Sequence, residues 1–149
     1  MLIYHTTNRP KQIKKSGLRN VRKKYLNRTN YKLRNKVDED RELKTTEAIY
    51  FFREEQMEIN KNQKPKNVIF SIDSEMLERK DLWVFSYDQY CLVKKAKGKE
   101  KLNSAIEDYW RSKLNIEEYE KLSKKQKDSY KAEFLYFQEY ISIDNLDQL

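Results

Sequence analysis

The apolar residues of this chain gather in short runs: Ala48-Ile49-Tyr50-Phe51-Phe52, Leu82-Trp83-Val84-Phe85 and Phe134-Leu135-Tyr136-Phe137. Runs of this length suit buried β-strands and stop far short of the roughly 18 residues of a membrane span. Strands need partners, so several such runs imply a sheet with a common core. Leu2-Ile3-Tyr4-His5, Asn67 to Ile72 and Tyr140-Ile141 read as further strands. Between them the pattern predicts helices. Thr7 or Asn8 is the expected cap of a two-turn helix in which Pro10 suits the first turn and Gly17 supplies a left-handed stop. A second helix is predicted over Arg53 to Ile59, and a short one after an Asp73/Ser74 cap, through Glu78. Residues 19–45 read as a surface segment, partly helical. From Lys94 the pattern changes: Leu102, Ala105, Ile106, Tyr109, Trp110 and Leu114 recur at helical spacing, and a shorter helix follows from Ile116 to Leu122. The reading is a single α+β domain over residues 1–149, with a helical insert at about 94–131.

A domain of 149 residues is large enough for one real core, burying roughly 68–70% of the surface its unfolded chain exposes. The charged and apolar fractions are both 38%, but 13% of residues are aromatic, which argues against disorder. Cys91 is the only cysteine, so an internal disulfide and a cysteine-based metal site are excluded, and no metal is expected. Its apolar neighbours Tyr90, Leu92 and Val93 predict a buried, inert thiol. The start, Met1-Leu2-Ile3-Tyr4-His5, lacks the basic-then-apolar pattern of a signal peptide, and a cytoplasmic location without membrane attachment is expected. With only Gly17 and Gly98, a Gly-rich phosphate loop of Rossmann or P-loop type is excluded.

Charge is unevenly placed. Residues 1–37 carry twelve Lys or Arg and no acid, leaving 20 bases against 24 acids in the remainder of a chain of net charge +8. A polyanionic partner or a merely solvated lysine-rich surface would each explain this. Arg19, Arg22, Lys23, Lys24 and Arg28, interleaved with Tyr25 and Tyr31, are the candidates for neutralising phosphates and stacking bases.

Three short motifs lie on the strands. Tyr4-His5-Thr6-Thr7 ends the first, Ala48-Ile49-Tyr50-Phe51-Phe52 forms the second, and Ala132-Glu133-Phe134-Leu135-Tyr136 opens the late one. Each alone has an ordinary structural explanation: a lone structural histidine, a core tyrosine, a solvated carboxylate. Together, with Ser16-Gly17-Leu18 after the first helix, they resemble the His-Tyr-Glu branch of the ADP-ribosyltransferase superfamily. The first and last blocks look most like bacterial toxins that modify thymidine in single-stranded DNA. Thr6 departs from a Gly common in relatives, and the Arg-bearing stretch that follows the middle strand in those toxins is lacking, although Arg53 lies nearby.

The resemblance implies two packed, split sheets around a cleft for NAD, the ADP-ribose donor, with His5, Tyr50 and Glu133 lining that one cleft. It assigns Glu133 to the ribose 2′-hydroxyl, where a carboxylate stabilises an oxocarbenium-like centre. Tyr50 would stack on nicotinamide, and His5 would hydrogen-bond the adenosine-side ribose. Tyr4, Thr6, Thr7 and Arg53 are the further expected NAD contacts. Glu139 competes with Glu133 but follows Gln138 directly, which is the wrong spacing. The expected activity is NAD-dependent transfer to a macromolecule, with nucleic acid the favoured acceptor. For toxins of this kind a neutralising partner protein is also implied. A non-catalytic nucleic-acid-binding module on the same fold, or transfer to protein, remain open at this point.

Overall fold

The computed structural model describes residues 1–20 and 28–149. Among them, the strands are β1 (Leu2–Thr7), β2 (Leu18–Arg19), β3 (Ile49–Phe52), β4 (Val68–Asp73), β5 (Leu82–Ser86), β6 (Leu114–Asn115), β7 (Ala132–Tyr136), β8 (Tyr140–Ile141) and β9 (Asp147–Gln148). The helices are α1 (Pro10–Ser16), α2 (Arg28–Val37), α3 (Glu54–Gln63), α4 (Tyr87–Lys95), α5 (Lys99–Arg111), α6 (Ile116–Glu120) and α7 (Lys124–Tyr130). This is an α+β arrangement.

The main sheet is antiparallel, in the order β6-β5-β7-β3-β1-β4-β9, and β2 pairs with β8 in a separate two-stranded ladder. β7 lies between β3 and β5, and all five of its residues are buried, which is why it reads as an apolar run. The main sheet is narrowest between β1 and β3. They share the single register pair Tyr4↔Phe52, whereas β1 pairs with β4 along six residues. Where the resemblance implies two packed sheets, the main ladder is thus one sheet pinched at its centre.

Each face of the sheet has its own core. One collects Ile3, Phe51, Phe70, Ile72, Val84 and Phe134 beneath Ile116 and Tyr119 of α6. The other collects Phe85 and Leu135 against Tyr90 and Val93 of α4, Ile106, Tyr109 and Trp110 of α5, and Val37 of α2. Phe85 stacks on Tyr109 at 4.8 Å between ring centroids. The helical spacing of Leu102, Ala105, Ile106 and Tyr109 is therefore the inward face of α5.

Local chemistry sets the helix ends. Pro10 occupies the first turn of α1, as expected, but neither Thr7 nor Asn8 caps it. Arg9 takes that position, and the Thr7 hydroxyl accepts from the Arg9 amide instead. Gly17 ends α1 at φ 76°, the left-handed region that its lack of a Cβ permits. The predicted helix after Asp73 is one 3-10 turn, Ser74–Met76, with Asp73 accepting from the Glu75 amide. α4, capped by Ser86, covers a segment for which no helix is predicted. Cys91 is only half-buried, a correction to the expected buried thiol: Tyr90 and Val93 face the core, and helical spacing turns Cys91 and the exposed Leu92 outward. Among the described residues no helix is long and apolar enough to cross a membrane.

Candidate functional site

His5 lies just beyond the pinch, where β1 leaves β3. There its Nδ1–H donates to the Tyr50 carbonyl at 2.8 Å, a side-chain substitute for the ladder bond that the parting strands do not make. A carbonyl can only accept, so this bond fixes the tautomer and leaves Nε2 as an acceptor. Burial lowers the His5 pKa, and the bond to Tyr50 only partly opposes it, so the ring is neutral near pH 7. A neutral imidazole with a free acceptor nitrogen suits a sugar hydroxyl.

His5 lines a groove of about 590 Å³ bordered also by Thr6, Thr7, Arg9, Arg19, Asn20, Lys64 and Asn67. Among the described residues no carboxylate lines it. α1 forms one wall, and Gly17 brings its end against β8, where an added Cβ would meet the Tyr140 ring and lie 2.6 Å from the Ile141 carbonyl. Arg19 stacks over Tyr140 at 4.8 Å.

Glu133 occupies a different setting. The registers Tyr4↔Phe52 and Phe52↔Glu133 put Tyr4, Tyr50 and Glu133 on one face of the sheet. His5 follows Phe51 to the other face, where their rings meet edge-on at 5.9 Å. Glu133 is 1% exposed. Its Oε1 accepts from the Tyr109 hydroxyl at 2.5 Å, and the Arg34 guanidinium lies 3.3 Å from Oε2. Arg34 also donates to the Tyr109 hydroxyl at 2.9 Å. The guanidinium carbon stands 3.5 Å from the centroid of the Tyr90 ring, 5.1 Å from Tyr50 and 5.7 Å from Tyr109.

This cage shifts its members strongly. Burial and the Glu133 charge push the Tyr109 hydroxyl well up, so it stays a donor to the carboxylate. Burial likewise raises Tyr50, whose hydroxyl donates to the Thr45 carbonyl at 2.6 Å. Burial opposes the Arg34 charge, but Glu133 and the surrounding tyrosines more than offset it, leaving the guanidinium firmly protonated. Asp38 anchors the end of α2 nearby, accepting from the Thr45 amide and hydroxyl and the Thr46 amide at 2.6–3.0 Å.

The structure brings His5 to the Tyr50 backbone and the Tyr50 ring to the Arg34–Glu133 pair. His5 and Glu133 thus lie on opposite faces of the sheet, a correction to the expected single cleft: alternation along β1 turns His5 away from the face that Tyr4, Tyr50 and Glu133 share, and among the described residues neither Tyr50 nor Glu133 borders the groove at His5. Thr6 and Thr7 share that groove, whereas Tyr4 is buried with Met57 and Ile69. Arg53 is committed elsewhere, donating to the Lys127 carbonyl at 2.6 Å and pairing with Glu55 and Asp128, which ties the end of β3 to α7. Arg22, Lys23 and Lys24 lie outside the described residues, as does the side chain of Arg28. Two functional candidates escape sequence reasoning: Arg34, one base among twelve, and Tyr90, one aromatic among many. Arg34 leaves no signal of its own in the sequence: Lys36, in the same acid-free stretch, finds its counter-charge only three residues on, at Glu39.

Among the described residues no cluster of His, Cys, Asp or Glu is arranged to hold a metal ion. Compared with known proteins, the chain matches no family model, no curated protein and no solved structure.

Proposed function

We propose that this chain transfers ADP-ribose from NAD to a macromolecular acceptor, on an ADP-ribosyltransferase-like fold split at the β1–β3 pinch. One observation carries the reading. The three motif residues come from opposite ends and the middle of the sequence, yet they sit on the neighbouring strands β1, β3 and β7, and His5 is bonded directly to Tyr50. His5 and Glu133 face opposite sides of the sheet, so in this reading one NAD reaches both by passing through the gap at the β1–β3 pinch.

In this reading the acid-free groove takes the adenosine and diphosphate end of NAD, with His5 Nε2 accepting from a ribose hydroxyl. Glu133, held by Tyr109, supplies the carboxylate that stabilises positive charge at the reacting ribose carbon. Nucleic acid is the favoured acceptor, because Arg9, Arg19 and Lys64 bordering the groove outnumber the two charges of the NAD diphosphate and can hold acceptor phosphates beside it. A second reading, a non-catalytic nucleic-acid-binding module, is favoured by one fact: the Glu133 carboxylate is paired and sealed from solvent.

Incubation with labelled NAD and separate pools of DNA, RNA and protein separates the two. Transfer predicts label in one pool and slow nicotinamide release without any acceptor, quickened by the true one. Glu133→Gln should abolish both, since it removes the charge that faces the reacting ribose carbon. Release at the full wild-type rate by Glu133→Gln would remove Glu133 from catalysis, and no release by any form would leave the binding module.

A further inference from the structure

The cage around Arg34 has a definite chemical preference. Its walls are the rings of Tyr90, Tyr50 and Tyr109, and its floor is the Glu133 carboxylate. Aromatic faces above a carboxylate select a flat cation. Arg34 supplies one in its planar guanidinium, 3.5 Å from the Tyr90 centroid. The pyridinium ring of NAD is another flat monocation, and it is the part of NAD that must lie near the carboxylate if Glu133 is to act on the adjoining ribose. Resting on the transfer reading above, we propose that Arg34 is a built-in occupant of the nicotinamide site, which withdraws when the pyridinium ring takes its place on Tyr90.

The exchange obeys the energetics of buried charge. A carboxylate as enclosed as Glu133 cannot lose its counter-ion without a large cost. A second cation displaces Arg34 without leaving the carboxylate charged and unpaired, which gives the site a preference for the charged ring of NAD over the neutral nicotinamide that leaves. Withdrawal needs no unfolding of α2. Its last turn is fixed by Trp110, whose Nε1–H donates to the Val37 carbonyl at 2.8 Å, and by the Asp38 contacts to Thr45 and Thr46. The arginine side chain can therefore swing about a rigid anchor through its own rotamers.

1-Methylnicotinamide, methylated on the ring nitrogen and so a permanent pyridinium cation, is the direct probe, with neutral nicotinamide as control. Arg34→Ala, whose cage is empty and whose Glu133 lacks a counter-ion, should bind the cation at least ten-fold more tightly than wild type, with no comparable gain for nicotinamide. Adding Tyr90→Ala should remove that gain. A folded Arg34→Ala protein that binds the cation no better than wild type overturns the proposal. Should Arg34→Ala fail to fold, wild type itself gives the answer. Saturating 1-methylnicotinamide should make Arg34 more reactive toward phenylglyoxal, read by mass spectrometry, and unchanged reactivity overturns the proposal equally. The two readings fail separately. Wild-type release of nicotinamide from NAD without any cation gain in Arg34→Ala sinks the cage alone, and a cation gain without nicotinamide release sinks transfer alone.

Discussion

His5 spends its Nδ1–H on the Tyr50 carbonyl, and burial holds its pKa below the ordinary value. In the unfolded chain the imidazole titrates near ~6.5. Between that value and the lower folded one, the unfolded state binds more protons, so stability falls as pH drops through this window and is fully present above it. Thermal melts at about pH 7.5 and about pH 5.5 should show this as a lowered midpoint, with a shallower decline in His5→Gln; equal declines would mean that His5 titrates alike in both states. The identity of His5 as a candidate was legible, since it is the only histidine in the chain. The partners of Glu133 were not. Arg34 reaches it across 99 positions, and Tyr109 looks in sequence like any core aromatic on a helical face. A buried ion pair between distant segments leaves no local periodicity to read, and it turned a carboxylate expected at a cleft into one enclosed by side chains.

At the level of elements, the strands were the most legible because burial on both faces writes itself as an unbroken apolar run. β3, β5 and β7 fall on the three runs that stand out. Helices were legible where one face is core, as in α5, and obscure where it is not. α7 buries no residue and is set by a capping box between Ser123 and Gln126, while the two inward residues of α4 lie in the short apolar run Tyr90-Cys91-Leu92-Val93, which carries no helical spacing of its own. The α1 stop was foreseen for the right reason. Gly17 has a positive φ, and it also packs against Tyr140 and Ile141 of β8, which pairs with the strand that immediately follows it. Gly17→Ala should therefore cost about 1–3 kcal/mol from backbone strain alone, before the clash with β8 is counted. Denaturant unfolding would measure it. A loss below about 0.5 kcal/mol would mean that α1 and β8 separate easily and that the groove wall is not rigid.

The whole molecule divides its charge as the sequence divides it. The acid-free first quarter contributes Arg9 and Arg19 to the groove, and α3 and its following loop bring Lys64 to the same rim. Some of the remaining acids sit in local pairs, such as the Arg79 cluster with Glu75, Glu117 and Glu120, which neutralise one another and project little field. What survives at distance is a positive groove, and its expected signature is counter-ion release. If single-stranded nucleic acid lies along it, log affinity should fall with log salt by about 0.7 per phosphate contacted. Replacing Arg9, Arg19 and Lys64 together with Gln removes three cations, so the slope should become shallower by about 2. A control with Lys99, Lys101 and Lys125 replaced, on α5 and α7, changes net charge equally but touches no groove residue, and it should leave the slope nearly unchanged. Fluorescence anisotropy of a labelled oligonucleotide across a salt series reads both. If the two triple variants shift the slope alike, binding follows net charge alone, and the groove has no special claim on the acceptor.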